Sequence, residues 1–227
     1  MINLEHTEVF GWETAIRGMR NPMNSWDKSD SKYEFYVDGE FHYEIGENDL
    51  KLMKNLSKAG SDHGKFLRMI NVTVDITAPL YWWKEFDTYK VGTVANSCST
   101  MHKIHAKEFE LSDFSFDHLT AGSIDQVAIP LINVLNSARE GFLNYDEWNK
   151  EDPEGWDEGI TCKKDIWWQM IQLLPTSYNQ KRTVQLNYQV LKSMYFARRN
   201  HKLDEWHDFC AWCETLPYFK DICIQED

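Results

Sequence analysis

Apolar residues recur along the chain at two spacings, one typical of β-strands and one typical of α-helices. Alternation with polar residues predicts a strand over residues 66–77, whose apolar face consists of Ile70, Val72, Val74 and Ile76. Aromatic runs on both sides of Asp38-Gly39 predict a β-hairpin from Tyr33 to Tyr43, because this dipeptide is favoured in two-residue turns. The early part of the chain is therefore predicted to contain strands.

Spacings of three and four residues predict five helices, over residues 49–59, 130–149, 163–173, 183–197 and 203–214. The apolar face predicted for the longest consists of Leu131, Val134, Leu135, Ala138 and Phe142. Residues 123–129 are predicted as a separate short helix or as the same helix kinked at Pro130. Pro79 is expected in the first turn of a further helix, where its missing N–H costs no hydrogen bond.

Together these elements predict an α+β fold in which a small antiparallel sheet packs with long helices. The 227 residues contain no internal repeat and no linker between two domains, so a single domain over residues 1–227 is expected. The sequence Asp152-Pro153-Glu154-Gly155 breaks the helical half, and residues 107–119 are predicted as a loop or a short strand.

The charge balance excludes one broad class of function. A formal net charge of -12 argues against a dominant nucleic-acid surface, which needs Lys and Arg to neutralise phosphates. A small nucleotide needs only a local cationic pocket and stays possible. No apolar run is long enough for a membrane span, and the first residues, MINLEHTEVF, lack the layout of a signal peptide. The expected location is the cytoplasm, without membrane attachment.

Five cysteines without a secretion signal are expected to be reduced thiols. Cys210-x-x-Cys213 matches the spacing of redox and zinc sites, but no second ligand pair at matching spacing accompanies it. Both thiols also fit the apolar face of a helix with Trp206 and Phe209. Neither a metal site at His102 and His105 nor a nucleophilic Cys98 has a partner residue in register.

Residues 78–99, APLYWWKEFDTYKVGTVANSCS, combine an Ala-Pro start after a strand, an aromatic helix and a small polar loop. They resemble the core motif of the flavin-dependent thymidylate synthases, R-H-R-x-x-S-x-N-E-x-S-x-R, which follows such a helix. Thr88-Tyr89-Lys90 stands at Arg-His-Arg, Thr93 at the first Ser, and Asn96-Ser97-Cys98-Ser99 at Asn-Glu-x-Ser after one inserted residue. Met101 replaces the closing arginine.

A second stretch resembles the same family. Leu174-Pro175-Thr176-Ser177 leads towards Asn187-Tyr188-Gln189, as the family's Leu-Pro stretch leads into a helix with Asn-x-Arg, and Arg198 falls at the family spacing. His201 and Glu205 resemble the His-A-Q-x-Glu tail. Upstream, His63 resembles a family histidine, while Arg68 stands where the family often has Glu and Gln189 replaces a flavin-contacting arginine.

The resemblance implies a thymidylate synthase-complementing-protein-like fold that assembles as a homotetramer. It implies methylation of dUMP, a pyrimidine nucleotide, with FAD as cofactor and with folate and NADPH as co-substrates. It assigns the catalytic role to Ser99 and nucleotide binding to Ser99, Arg198 and Arg199. Flavin binding is assigned to a larger set: His63, Lys90, Thr93, Asn96 and Asn187. We expect the Ser99 hydroxyl and the Arg198 guanidinium to converge on one phosphate.

The departures from the family pattern leave two alternatives to an active enzyme. Each charge-assisted hydrogen bond lost with Arg-His-Arg or at Gln189 weakens flavin binding by about 1.5–3 kcal/mol, so the first alternative is a non-catalytic nucleotide-binding module. The second is an interaction protein that keeps only the oligomeric scaffold, as in phage-type accessory proteins. Plain structural roles also stay open: a cap or loop hydroxyl at Ser99, helix-terminal charges at Arg198 and Arg199, and a cap or packing role at His63.

Overall fold

The computed structural model describes residues 2–37 and 39–225, which divide into two compact units. The first unit contains residues 77–86 and 97–182. The second contains residues 2–76 and 87–96 and continues from residue 183 to the end of the described chain. None of the helices described is long and apolar enough to cross a membrane.

Six strands and nine α-helices occur in the part of the chain that the structure describes. The strands are β1 (Asn3–Phe10), β2 (Lys32–Phe35), β3 (Phe41–Glu44), β4 (Asn71–Pro79), β5 (Val94–Ser97) and β6 (Asn179–Asn187). The helices are α1 (Trp12–Arg20), α2 (Glu47–Lys58), α3 (Leu80–Phe86), α4 (Thr100–Lys103), α5 (Ala121–Ser123), α6 (Ile129–Glu151), α7 (Lys163–Leu173), α8 (Tyr188–Arg198) and α9 (Asp204–Thr215). The predicted α+β class is confirmed.

A four-stranded sheet has the strand order β1-β4-β6-β5. The alternation predicted in β4 is confirmed, because Ile70 just before it and Val72, Val74 and Ile76 within it are all buried. Residues 66–68, which were predicted as the start of this strand, belong instead to a 3₁₀ helix, Gly64–Arg68.

The predicted hairpin is confirmed as an antiparallel pair of β2 and β3, in the register Tyr33↔Tyr43 and Phe35↔Phe41. The Tyr36 N–H donates to the Glu40 carbonyl at 2.9 Å and continues the pairing beyond the strands. The loop between the paired Tyr36 and Glu40 has three residues, 37–39, so the predicted two-residue turn is wrong. Gly39 has φ +85°, a conformation that three-residue hairpin loops assign to glycine. Asp38, the other residue of the predicted turn, lies outside the described residues.

The helix predicted over residues 183–197 is wrong in its first part. Residues 183–187 belong to strand β6, and the helix begins only at Tyr188. Val184 and Leu186 are buried two residues apart, as in a strand. Leu186, Val190 and Met194 are spaced four residues apart, as in a helix. Because Leu186 fits both spacings, the helical pattern hid the boundary between strand and helix.

The longest helix is confirmed as α6, with Leu135 fully buried, but Val134 is half exposed and Ile132 takes its place in the core. Ahead of it, Ile124–Ala128 forms a π-helical segment that joins α5 to α6. The change from π-helical to α-helical turns therefore comes before Pro130. The wider π-helical turn accommodates the proline ring, which in an α-helix clashes with the carbonyl four residues earlier.

In the first unit, a buried cluster of apolar side chains forms around α6 and α7. It consists of Ile104, Phe109, Phe114, Ile132, Leu135 and Met170. Both phenylalanines of this cluster, Phe109 and Phe114, come from the predicted loop over residues 107–119. Phe114 forms an isolated antiparallel bridge with Tyr178, so this loop has only one short contact of strand type.

Two other predicted helices are confirmed, each beginning slightly later than expected. Pro79 is the last residue of β4, and the helix expected from it is confirmed as α3, which begins one residue later at Leu80. The N–H groups of Leu80 and Tyr81 donate to the carbonyls of Tyr178 and Thr176. The helix predicted over 203–214 is confirmed as α9, but a π-helical segment, Lys220–Ile224, follows it. On α9, Glu205 is buried, whereas Asp204, His207 and Asp208 are exposed.

The structural interpretation of the cysteine pair is confirmed. Cys210 and Cys213 are buried on α9, and burial raises the pKa of the Cys210 thiol to about 11. Thiols with raised pKa values are poor nucleophiles and poor metal ligands. No group of three metal-ligating side chains occurs among residues 2–37 and 39–225.

The start of α2 contains a buried ion pair. Arg20 Nε donates to Asp49 Oδ1 at 2.6 Å, and the hydroxyls of Ser29 and Ser31 donate to Asp49 Oδ2 at 2.6 and 2.7 Å. Asp49 is fully buried and Arg20 nearly so. Burial by itself raises the pKa of the Asp49 carboxyl, but hydrogen bonds from Ser29, Ser31 and Arg20 together lower it below its ordinary value.

Replacing Asp49 with asparagine is expected to destabilise the protein by about 3–5 kcal/mol, because Arg20 then keeps a buried charge without its partner. A carboxyl with a lowered folded-state pKa stabilises the fold above its unfolded pKa, and this contribution is lost as pH falls through the folded pKa. Urea unfolding from pH 7 down to pH 3 measures both effects, with Glu34→Gln as an exposed control. Equal stability of Asp49→Asn and wild type contradicts the prediction.

Candidate functional site

A cavity of about 670 Å³ in the second unit contains residues from both sequence motifs. The segment after α3 contributes five of its lining residues, Thr88, Tyr89, Lys90, Val91 and Gly92. The others are Arg68 and four residues at the junction of β6 with α8: Asn187, Gln189, Val190 and Ser193. Two of the predicted flavin-binding residues, Lys90 and Asn187, thus line the same cavity.

The junction of β6 with α8 positions one wall of this cavity. Asn187 is the N-cap of α8, and its side-chain oxygen accepts the Val190 N–H at 3.1 Å. Gly92 lies against this cap with φ +80°, and a Cβ there would be 3.0 Å from Val190 Cγ2 and 3.2 Å from Asn187 Nδ2. The loop approaches the helix this closely because residue 92 has no side chain.

The charge of the cavity is positive. Lys90 and Arg68 are exposed, and no acidic residue is found among the lining residues that the structure describes. Neither cation forms an ion pair or a side-chain hydrogen bond within the described chain. Amides from Asn187 and Gln189 and the hydroxyl of Ser193 add neutral polar groups. This combination suits an anion with a polar ring, such as a nucleotide.

Arg198 lies at the end of α8 and is held by aromatic residues of the second unit. Its Nε donates to the Tyr89 hydroxyl at 2.9 Å, and its guanidinium lies 4.8 Å from the centre of the Trp206 ring. Tyr89 stands where the family motif has histidine, and it lines the cavity. Arg198 therefore fixes a ring of the cavity wall, a role that sequence reasoning did not assign to it.

Ser99 belongs to the first unit. It is the N-cap of α4, and its hydroxyl accepts the His102 N–H at 3.1 Å, which agrees with the structural alternative stated for it. Strand β5 ends at Ser97, and only Cys98 separates it from Ser99. The Cys98 N–H donates to the Lys181 carbonyl at 2.9 Å. The catalytic role of Ser99 and its convergence with Arg198 stay predictions.

The other four predicted site residues, His63, Thr93, Asn96 and Arg199, lie outside the lining of this cavity. His63 and Asn96 are exposed, and Arg199 is exposed with its guanidinium 5.1 Å from the Phe196 ring. The Thr93 hydroxyl donates to the Tyr89 carbonyl and tightens the loop that carries Lys90.

Sequence reasoning noted Arg68 and Gln189 only as departures from the family pattern, and it assigned no role to Tyr89. All three line the cavity. Arg68 ends a 3₁₀ helix just before β4, and no local pattern links that position to residues 88–92 or 187–193. The positive charge of Arg68 at a position where the family often has Glu was the one available signal.

No protein-family model and no curated protein matches the chain. Solved structures do match it. One is flavin-dependent thymidylate synthase ThyX from Helicobacter pylori complexed with FAD and dUMP, which is 17% identical with a TM-score of 0.63 over 99% of this chain and 97% of that chain. Another structure of ThyX from Helicobacter pylori with FAD and dUMP is 16% identical, with a TM-score of 0.63 over 99% and 96%.

The chain has the fold of flavin-dependent thymidylate synthase. The resemblance drawn from two short motifs is thereby confirmed for the fold over nearly the whole chain. A fold carries many functions, so activity and ligand must be argued from the side chains of the site.

Replacing Arg198 with alanine is expected to lower the free energy of unfolding by about 2 kcal/mol, since it removes a charge-assisted hydrogen bond and a cation–π contact. Tyr89→Phe removes only the hydrogen bond and is expected to cost about 1 kcal/mol. Urea denaturation without ligand measures both. Arg199→Ala is the matched control at an exposed arginine, and a loss as large as that of Arg198→Ala there contradicts the anchoring role.

Proposed function

We propose that the chain is a divergent relative of the flavin-dependent thymidylate synthases that binds a pyrimidine nucleotide. The phosphate binds to Lys90 and Arg68. The amides of Asn187 and Gln189 and the ring of Tyr89 lie against the base and sugar. The observation that carries this proposal is the pair of cations in a cavity without an acidic lining residue.

Electrostatics favours this ligand class. The whole chain carries a net charge of -12, so anions are repelled at long range. At physiological salt, charges farther apart than about 8 Å are largely screened, and the two local cations then dominate inside the cavity. Cations without protein partners gain more from a phosphate than cations already paired with carboxylates.

FAD is the cofactor that the fold family implies. The cationic and amide side chains of the cavity fit its phosphates, with Lys90, Arg68 and Asn187 as the residues that hold them. When bound, FAD supplies hydride chemistry. Gln189 offers an amide where the family has a flavin-contacting arginine, so this chain binds the flavin with one cation fewer at that position.

The second candidate function is therefore the thymidylate synthase reaction itself, with dUMP as substrate and folate and NADPH as co-substrates. The fold it shares with the FAD and dUMP complexes of ThyX supports this candidate. In it, Ser99 acts at the nucleotide, with Arg198 and Arg199 as nucleotide-binding residues and His63, Thr93 and Asn96 at the flavin. For this second candidate we also propose that the chain forms a single domain, is located in the cytoplasm and assembles as a homotetramer.

Calorimetric titration with dUMP tests the first proposal. We expect saturable binding that weakens by about tenfold in Lys90→Ala and in Arg68→Ala, because each loses one charge-assisted contact to phosphate. Binding is also expected to weaken as salt increases. Lys84→Ala is the matched control, since it removes an exposed lysine that does not line the cavity.

Two results contradict this proposal. One is the absence of dUMP binding by the wild type. The other is an equal loss of affinity in Lys84→Ala and Lys90→Ala. That result would mean that dUMP binding depends on the net charge of the protein and not on the residues that line the cavity. Deoxyuridine, which lacks the phosphate, is expected to bind more weakly than dUMP in every variant.

The visible absorption spectrum of freshly purified protein tests the second candidate. Bound FAD gives the yellow flavin bands, and Asn187→Ala is expected to reduce the flavin retained. Formation of dTMP from dUMP with folate and NADPH then measures the reaction. A colourless protein that takes up no added FAD contradicts the enzyme but leaves dUMP binding testable by calorimetry.

A further inference from the structure

A larger cavity, of about 830 Å³, lies elsewhere in the second unit, between the β2–β3 hairpin and the start of α1. Half of its fourteen lining residues are Phe, Tyr or Trp. The hairpin contributes Tyr33, Tyr36, Phe41 and Tyr43, and Trp12 comes from α1. Its volume lies within the range of small-molecule sites. No residue of the phosphate-binding cavity described above lines it.

The charge of this aromatic cavity is negative. Glu13 and Glu44 line it, and no lysine or arginine is found among its described lining residues. The nearby Lys32 pairs with Glu34 at 2.6 Å, and neither of these two residues lines the cavity. The cavity thus combines two carboxylates with many ring faces.

Hydrogen bonds couple the rings to the carboxylates. The Tyr36 hydroxyl donates to Glu44 Oε1 at 2.7 Å, and the Tyr33 hydroxyl donates to Glu13 Oε2 at 3.3 Å. The bond to Glu44 raises the pKa of Tyr36, so this phenol stays a neutral donor. A phenol that donates to a carboxylate has a more electron-rich ring, and its face attracts a cation more strongly.

The rings keep much of their surface in water. Tyr33 is 57% exposed, Tyr36 42% and Phe41 66%. Edge-to-face contact fixes the Tyr33 and Tyr43 rings, whose centres lie 5.0 Å apart. The cavity wall is therefore ordered by cross-strand pairing while its ring faces stay accessible, and a ligand does not have to displace a packed core.

We propose that this cavity binds a small organic ammonium ion, held by cation–π contacts with the tyrosine rings and by the charges of Glu13 and Glu44. Anions are excluded because two carboxylates line the cavity. A neutral apolar ligand gains only from the rings and nothing from the carboxylates. A cation with an alkylated head gains from both, because it desolvates easily and attracts both ring faces and carboxylates.

The test compares choline with 3,3-dimethyl-1-butanol, its uncharged isostere, as probes in titrations followed by tryptophan fluorescence and by calorimetry. We expect choline to bind about tenfold tighter than the alcohol, since only choline carries the charge. Equal affinity for the two probes, or no saturable binding of choline, overturns the proposal. Trp12 lines the cavity but is one of ten tryptophans, so a Trp12→Phe variant identifies the part of the fluorescence change that comes from this cavity.

Two matched pairs of variants locate the binding. Tyr33→Leu removes a lining ring and is expected to weaken choline binding by roughly three- to tenfold. Phe35→Leu removes an exposed ring of the same hairpin that does not line the cavity, and no change is expected. Glu44→Gln is expected to weaken binding, whereas Glu34→Gln is not. Equal losses within either pair overturn the proposal, and circular dichroism confirms that each variant keeps its fold.

Discussion

The direct passage from strand β6 into helix α8 at Asn187 is the constraint on which the cavity lined by Lys90 and Arg68 depends. The Asn187 side chain caps the helix through the Val190 N–H. The next residue, Tyr188, is buried, its N–H donates to the Ile70 carbonyl, and its hydroxyl donates to the Pro217 carbonyl at 2.7 Å. The backbone and the side chain of Tyr188 are both fixed within the second unit. The rotation of α8 is thereby set, and with it the direction of Gln189 and Val190 towards the cavity.

Two cavities of opposite charge in one unit show how local side chains override the net charge of the chain. The protein is acidic overall, yet Lys90 and Arg68 line a cavity that has no carboxylate among its described lining residues. Glu13 and Glu44 line a cavity that has no lysine or arginine among the lining residues described for it. Screening limits each field to about 8 Å at physiological salt, so each cavity selects its ligand by its own lining. The proposals of a phosphate ligand for one cavity and an ammonium ligand for the other rest on this difference in lining charge.

The sequence predicts most of the buried elements, because burial on one face leaves a periodic pattern. Strand β4 and helices α6 and α7 were found from such patterns. Strand β1 was missed because only Leu4 and Val9 are even partly buried, which leaves no alternation to detect. The boundary within 183–197 was missed because Leu186 satisfies a strand spacing with Val184 and a helix spacing with Val190. Lys90 and Asn187 were predicted from the motifs, whereas Arg68, Tyr89 and Gln189 join them only through tertiary packing.

Tyr89 changes what the altered motif means for the site. The Tyr89 hydroxyl, at the position where the resembling motif has histidine, gives Arg198 a hydrogen-bond partner, and the Trp206 ring lies against the same guanidinium. A phosphate that recruits Arg198 must compete with these contacts, which together are worth about 2 kcal/mol. Lys90 and Arg68 carry no such cost within the described chain. The available positive charge therefore lies at Lys90 and Arg68, beside the beginning of α8, where the Asn187 cap and the loop that carries Lys90 meet.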